Sequence, residues 1–300
     1  MDSPIRKKHQ KPLSERLIEK TLLLFTTVTV LTTLAIVYSL FSETFIFFRE
    51  VSLFEFLTDT RWSPTLQPRH FGILPLLVGT GMIAVGSSVI SLPLGLAAAI
   101  YLSEYAPAHV RKVVKPVLEL LAGIPSIVYG FFALTFITPI LRSFLPDVEV
   151  FNALSASIAV GIMTLPLVAS LSEDAMMAVP DSIRQGAYAL GATKLEVAVH
   201  VVVPAALSSI GAAFVLAVSR AVGETMIVAI AAGQSPVLTL NPLKSIQTMT
   251  GFMVNLSLGD IQHGTIEYKT VYAVGAMLFL MTFAMNLFAR AIITKYREEY

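Results

Sequence analysis

The 300-residue sequence contains no cysteine, so disulfide frameworks, thiolate metal sites and cysteine nucleophiles are excluded. Charged residues are scarce as well, at 14% of the chain, against roughly a quarter in an ordinary soluble domain. The histidines His9, His70, His109, His200 and His263 are scattered with no H-x-x-x-H or H-E-x-x-H spacing, so no metal site is expected. No G-x-x-x-x-G-K-[ST] phosphate cradle and no G-x-S-x-G elbow occur, which argues against nucleotide hydrolysis or covalent catalysis by this chain. It is read as non-enzymatic, with no catalytic residue. The formal net charge of +1 singles out no partner.

What the sequence has in quantity is long apolar runs. Hydrophobic residues make up 55%, and a hydrocarbon core about 30 Å thick takes roughly 20 helical residues to cross. Uncharged runs over 21–42, 71–103, 120–141, 150–172 and 270–289 meet that length. A sixth, over 205–232, is interrupted only by Arg220 and Glu224. The expectation is an all-α polytopic membrane protein with six transmembrane helices embedded in a lipid bilayer.

Lysine and arginine set the orientation. With the N-terminus inside, the inner segments collect fourteen: six in 1–20, three in 104–119, two in 173–205 and three from Arg290 onward. The outer segments 43–70, 142–149 and 233–269 collect six. Both termini are therefore expected to be cytoplasmic. The basic head RKKHQK is read as an orientation signal rather than a nucleic-acid arm, so no nucleic acid is expected as a partner. The run 21–42 is longer than the apolar region of a cleaved signal peptide, about 7–15 residues, and is read as an uncleaved first helix. The expected division is a basic head (1–20), a first span (21–42), an outer segment (43–70), a five-helix core (71–294) with a cytoplasmic loop over 176–204, and a tail (295–300).

The stretch EDAMMAVPDSIRQGAYALGATKLEVAVHVVVPAAL, residues 173–207, is too structured for a linker. Asp181 or Ser182 is placed to cap a short helix on which Ile183, Ala187 and Leu190 share a face. Gly191 suits a helix stop, and Thr193 with Glu196 has capping-box spacing for a second helix running to Pro204. The small apolar face either packs back on its own bundle or docks into a partner.

QGAYALGATKLEVAVHVVVP resembles the cytoplasmic-loop signature of binding-protein-dependent ABC importer permeases: Glu-Ala-Ala, three residues, Gly, nine residues, Ile-x-Leu-Pro. Here the signature positions read Gln185-Gly186-Ala187, Gly191, then Val201, Val203 and Pro204, with Gln185 and Gly186 departing from the usual Glu-Ala. The stretches 71–107, 121–134, 164–180 and 219–233 are similar to the permease subunits of phosphate importers, the PstC type more than its PstA paralogue. The resemblance implies a type I importer permease fold in the cell inner membrane. It implies partnership with a PstA-like second permease, two PstB-like ATP-binding subunits and an extracytoplasmic phosphate-binding protein. ATP and Mg would reside on the ATPases, this chain holding no cofactor. The loop would seat in the ATPases, and segments 233–269 and 43–72 would meet the binding protein. Alternatives are another oxyanion such as molybdate or sulfate, or an ion-coupled secondary transporter.

Within AVSRAVGETMIVA (217–229), Arg220 and Glu224 lie one helical turn apart and are expected to share a face near the bilayer middle. One reading is an internal ion pair that fixes packing. The other, which the resemblance favours, makes Arg220, Glu224 and Thr225 part of the translocation path, Glu224 holding the guanidinium in place. A guanidinium's planar fork matches phosphate oxygens.

Overall fold

The computed structural model describes residues 13–295, and the fold over them is almost wholly helical. In chain order the elements are α1 (Leu13–Glu50), α2 (Leu53–Thr58), β1 (Trp62–Ser63), β2 (His70–Phe71), α3 (Leu74–Tyr105) and α4 (Ala108–Ala122). They continue with α5 (Ser126–Phe144), α6 (Ala153–Met177), α7 (Asp181–Ala189), α8 (Lys194–Ala205) and α9 (Leu207–Val222). A short segment α10 (226–232), then α11 (Met249–Leu258) and α12 (Ile266–Lys295), complete the described chain. The basic head up to residue 12 and the tail from 296 lie outside the described residues.

Five helices (α1, α3, α5, α6 and α12) are long and apolar enough to cross a membrane, and α8 and α9, bent by 73°, are so together, giving six if the pair is one span. Three sequence expectations change here. The sixth span is not one helix over 205–232: it bends just after Pro204, which follows a π-type turn over Ala198–Val202, and it stops at Gly223. Proline and π-turns are the usual causes of such kinks. The third span starts at Ser126 rather than Leu120, because Gly123 and Pro125 separate it from α4, a surface helix with no buried residue. The first helix runs on past Ser42 to Glu50, so it enters the segment expected to lie outside.

The centre of the fold is the α3–α6 pair. Small residues let the two backbones approach: a methyl group at Gly86 would lie 2.6 Å from Ser157 Oγ, and one at Gly95 2.7 Å from Val168. At the end where α3 and α6 begin, an aromatic cluster of Phe47, Phe56, Trp62, Phe71 and Phe252 joins α1, α2, the β-hairpin and α11. The hairpin is antiparallel, with Trp62 opposite Phe71. Trp62 meets Phe252 edge-to-face at 5.0 Å. At the opposite end, Ala99, Met176, Val179, Val197, Val202 and Ile210 form a separate core beneath α7 and α8. The large apolar side chains of α1 from Leu22 to Ile36 are exposed, a surface left for lipid or another chain.

Candidate functional site

The α9 helix ends at Val222, capped by the Gly223 N–H, which donates to the Ser219 carbonyl at 3.2 Å. Helix resumes at 226, leaving Gly223, Glu224 and Thr225 unwound. The polar groups are satisfied locally. The N–H groups of Met226 and Ile227 donate to Glu224 Oε1 at 3.1 and 3.2 Å, and Thr225 Oγ1 donates to the Gly223 carbonyl at 3.0 Å. Thr250 Oγ1, from the following α11, donates to the Glu224 carbonyl at 2.7 Å. Unwound backbone at membrane depth is tolerated only where it is buried in protein or lines a cavity. Both conditions hold, because Glu224 is 8% exposed and Gly223 and Thr225 line a cavity of about 460 Å³ with Thr250, Met253, Val254 and Ser257.

Arg220 sits in the last turn of α9, exposed, and makes no hydrogen bond or ion pair among the described residues. The expectation that Glu224 holds its guanidinium is therefore corrected. The helix stops two residues after Arg220, and the carboxylate is recruited to free N–H groups at the start of α10. The internal ion pair falls with it. The structure brings Glu224 and Thr225 together at the break and leaves Arg220 one turn before it, facing outward with free donors.

The loop at 173–207 forms the two expected helices. Gly191 adopts φ +86 between them, the left-handed region that glycine enters most easily. The capping box is complete: Glu196 N–H donates to Thr193 Oγ1 at 3.4 Å and Thr193 N–H to Glu196 Oε2 at 2.8 Å. Two details differ from the sequence reading. Pro180, not Asp181 or Ser182, holds the position before α7, and no side chain caps it. Leu190 does not share the face of Ile183 and Ala187. Those two pack on the bundle, whereas Leu190 terminates the helix and is 91% exposed. The apolar residues of the loop divide: Ile183 and Ala187 turn inward onto the bundle, and Tyr188, Leu190 and Leu195 turn outward. Gln185, Gly186, Gly191, Thr193, Glu196 and Pro204 are exposed as well.

A set of ion pairs at this end was not anticipated from the sequence. Glu173 on α6 is 1% exposed; Lys115 of α4 lies 2.6 Å from it and also pairs with Asp174, and Arg111 stands 3.6 Å away. Burial disfavours the Lys115 ammonium, but its hydrogen bonds to Asp174 and Glu173 outweigh that and raise its pKa. Arg184 of α7 pairs with Glu104 at the end of α3. The signal available in the sequence was only that these charges flank the ends of apolar runs. At the other end, Glu149 takes the Ser245 N–H at 2.7 Å and Lys244 at 3.1 Å, which hold its carboxyl below the usual range and tie the loop before α11 to the start of α6.

A family model described as binding-protein-dependent transport system inner membrane component matches residues 91–298. Among curated proteins, the chain is 38% identical to a probable ABC transporter permease protein, YqgH, of Bacillus subtilis, covering 82% of this chain and 79% of that one. It is 30% identical to the phosphate transport system permease protein PstC of Xylella fastidiosa, over 80% and 78% of the two chains. It is 32% identical to PstC 1 of Mycobacterium tuberculosis, over 80% and 81%. Among solved structures, a bacterial ABC transporter importing alginate has a fold similar over 96% of this chain and 100% of that one, with TM-score 0.65 at 14% identity. The MetNI methionine ABC transporter, inward facing, gives TM-score 0.55 over 76% and 95%, at 17% identity. The family match, the relatives and the helical fold agree: this chain belongs to the binding-protein-dependent transport system inner membrane components, the multi-pass, non-catalytic permease subunits of ABC importers.

Proposed function

We propose that the chain is a permease subunit of an ATP-driven importer of inorganic phosphate, lying in a prokaryotic cytoplasmic membrane with both termini inside. The observation that carries the substrate assignment is Arg220: an exposed guanidinium with free donors on a membrane-spanning helix, one turn before a break lined by the Thr225 hydroxyl. A charge in that position is costly unless it faces a water-filled path or a partner, and its fork suits a tetrahedral oxyanion. The 30–32% identity to phosphate transport permeases supports the same ion.

In this reading a second, homologous permease of the PstA type completes the path that Arg220 faces. Two ATP-binding subunits of the PstB type seat against Tyr188, Leu190 and Leu195 on the α7–α8 loop, and they hold the ATP and Mg. An extracytoplasmic phosphate-binding protein delivers substrate to the opposite end, at segments 43–72 and 233–269. ATP binding and hydrolysis rock the two permeases between outward- and inward-open states. A conducting site must release its ion. Because Glu224 Oε1 is committed to the N–H groups of Met226 and Ile227 and makes no ion pair with Arg220, the guanidinium donors stay open to the ion. Release then follows from the change of access rather than from competition within a pair.

The second reading is another oxyanion, sulfate or molybdate, favoured by the fact that Arg220 offers donors that any tetrahedral oxyanion accepts. Reconstitution of the four kinds of subunit in proteoliposomes tests both. ATP-dependent uptake of radiolabelled phosphate is expected, undiminished by excess sulfate or molybdate and lost in Arg220→Gln at equal membrane abundance. Equal competition by sulfate or molybdate would select the second reading, and uptake without the ATPase would select a secondary transporter.

A further inference from the structure

Arg184 lies on α7, the first helix of the loop, yet its side chain points away from the outer surface and is 12% exposed. Its five N–H donors are spread over three elements. Nη1 donates to the Val179 carbonyl at 2.5 Å and to Asp181 at 3.2 Å, and Nη2 to the Met176 carbonyl at 2.7 Å. Nε and Nη2 reach Glu104 Oε1 at 3.4 and 3.3 Å. The two carbonyls belong to the terminal turn of α6 and the residues just past it, at the negative end of that helix, where the Met176 carbonyl also accepts the Val179 N–H at 3.1 Å. Glu104, 5% exposed, closes the π-type turn that ends α3 and also accepts from Ser103 Oγ at 2.9 Å.

We propose that Arg184 is the positioning residue that fixes the ATPase-facing loop to the α3–α6 pair, so that displacement of α7 is passed to both spans as one rigid body. The inference rests on the reading of that loop as the ATPase seat. A packed contact alone would let α7 slide, because Ile183 and Ala187 are its only half-buried apolar side chains. A planar guanidinium with four acceptors in fixed directions resists sliding and rotation together. Lysine does not substitute, since a single ammonium cannot span Glu104 and both carbonyls.

The chain has no native cysteine, so a cysteine pair at Ser182 on α7 and Tyr101 at the end of α3, both exposed, takes spin labels without background when this chain is labelled before assembly. In the complex with its ATPase, the Ser182–Tyr101 distance is expected to be single and unchanged between nucleotide-free and ATP-bound states. In Arg184→Gln it is expected to broaden and to move with nucleotide. An Arg184→Gln distribution that matches the wild type in both states overturns the proposal. Glu104→Gln, which keeps the side-chain shape, carries the same test if Arg184→Gln fails to assemble. In proteoliposomes, phosphate moved per ATP hydrolysed should fall roughly tenfold in either variant, the scale of one lost charge-assisted hydrogen bond, with ATP hydrolysis retained. The double variant should be no worse than Arg184→Gln alone; additive losses would show that the residues act separately and would overturn the clamp. The distance arm reads the clamp whatever ion is carried, so failure of phosphate uptake in the wild type counts against the substrate assignment alone.

Discussion

Glu224 turns its carboxylate away from Arg220 and onto the backbone of the segment that follows, with Oε1 3.1 Å from Met226 N and 3.2 Å from Ile227 N. The two charges are neighbours in sequence but have separate tasks. Glu224 satisfies the N–H groups that open the next helix, and in the proposed function Arg220 presents its charge to the ion. Glu224→Ala should therefore cost about 1 kcal/mol of stability, the usual value of a lost N-terminal cap. Glu224→Gln keeps an acceptor oxygen and should cost less. Arg220→Gln should leave stability unchanged, since no partner is orphaned. Thermal unfolding of the purified protein in detergent ranks the three. A loss in Arg220→Gln equal to that in Glu224→Ala would restore the ion pair and refute this division.

At Gly191 the backbone has φ +86 and an added methyl group would meet nothing within 4 Å. Any penalty for substitution there is conformational, not steric. For an ordinary L-residue in the left-handed region it is roughly 1–2 kcal/mol, less for asparagine and more for a β-branched side chain. Gly191→Asn should retain most of the ATPase that co-purifies with the complex, and Gly191→Val should lose most of it. Equal recovery in the two variants would mean that the turn between α7 and α8 does not set the docking geometry.

Lys115 and Glu173 allow a test of the charges at the same end. Lys115→Met leaves Glu173 buried with only Arg111 at 3.6 Å, at a cost of about 2 kcal/mol, below the roughly 3–5 of a wholly orphaned buried charge. Lys115→Met combined with Glu173→Met should recover most of it. The Lys115 pKa is raised, so its contribution is complete below the ordinary lysine value and is lost only as pH rises through the folded one. The difference between wild type and Lys115→Met should therefore stay flat from about pH 6 to 9. A double variant as unstable as the single, measured by thermal unfolding, would show that the cost is lost packing rather than an unpaired carboxylate.

The crossings were legible because hydrophobic length is a one-dimensional property: five of the six runs became long apolar helices, the third starting late behind Gly123 and Pro125 and the first running on to Glu50. The capping box at Thr193 and the turn at Gly191 were legible because each is a local chemical requirement met by neighbouring residues. The break after Arg220 was not. An i, i+4 pair in an apolar run is compatible with an unbroken helix, and nothing local announces that Thr250, 26 residues on, will take the Glu224 carbonyl. Glu104 and Arg184 were missed for the same reason. Their pairing spans 80 residues and exists only because α3 and α6 end side by side.

The approach of that distant segment can be tested through two glycines on α3. A methyl group at Gly79 would fall 2.4 Å from the Gln247 carbonyl oxygen, whereas at Gly81 it would meet nothing within 4 Å. The Gln247 backbone leads directly into α11, whose first N–H, at Met249, donates to Thr80 Oγ1 at 3.0 Å. Gly79→Ala must therefore push the start of α11 away, and a backbone carbonyl has no rotamer by which to yield. Overpacking of this kind costs roughly 1–3 kcal/mol. Gly81→Ala, in the same helix, should be neutral or stabilising by up to about 1 kcal/mol from helix propensity. Thr250 is carried on the displaced turn, so Gly79→Ala should also weaken its bond to the Glu224 carbonyl and lower uptake beyond what reduced abundance explains. If uptake per folded protein were the same in Gly79→Ala and Gly81→Ala, the placement of α11 would matter to stability but not to the break beside Arg220.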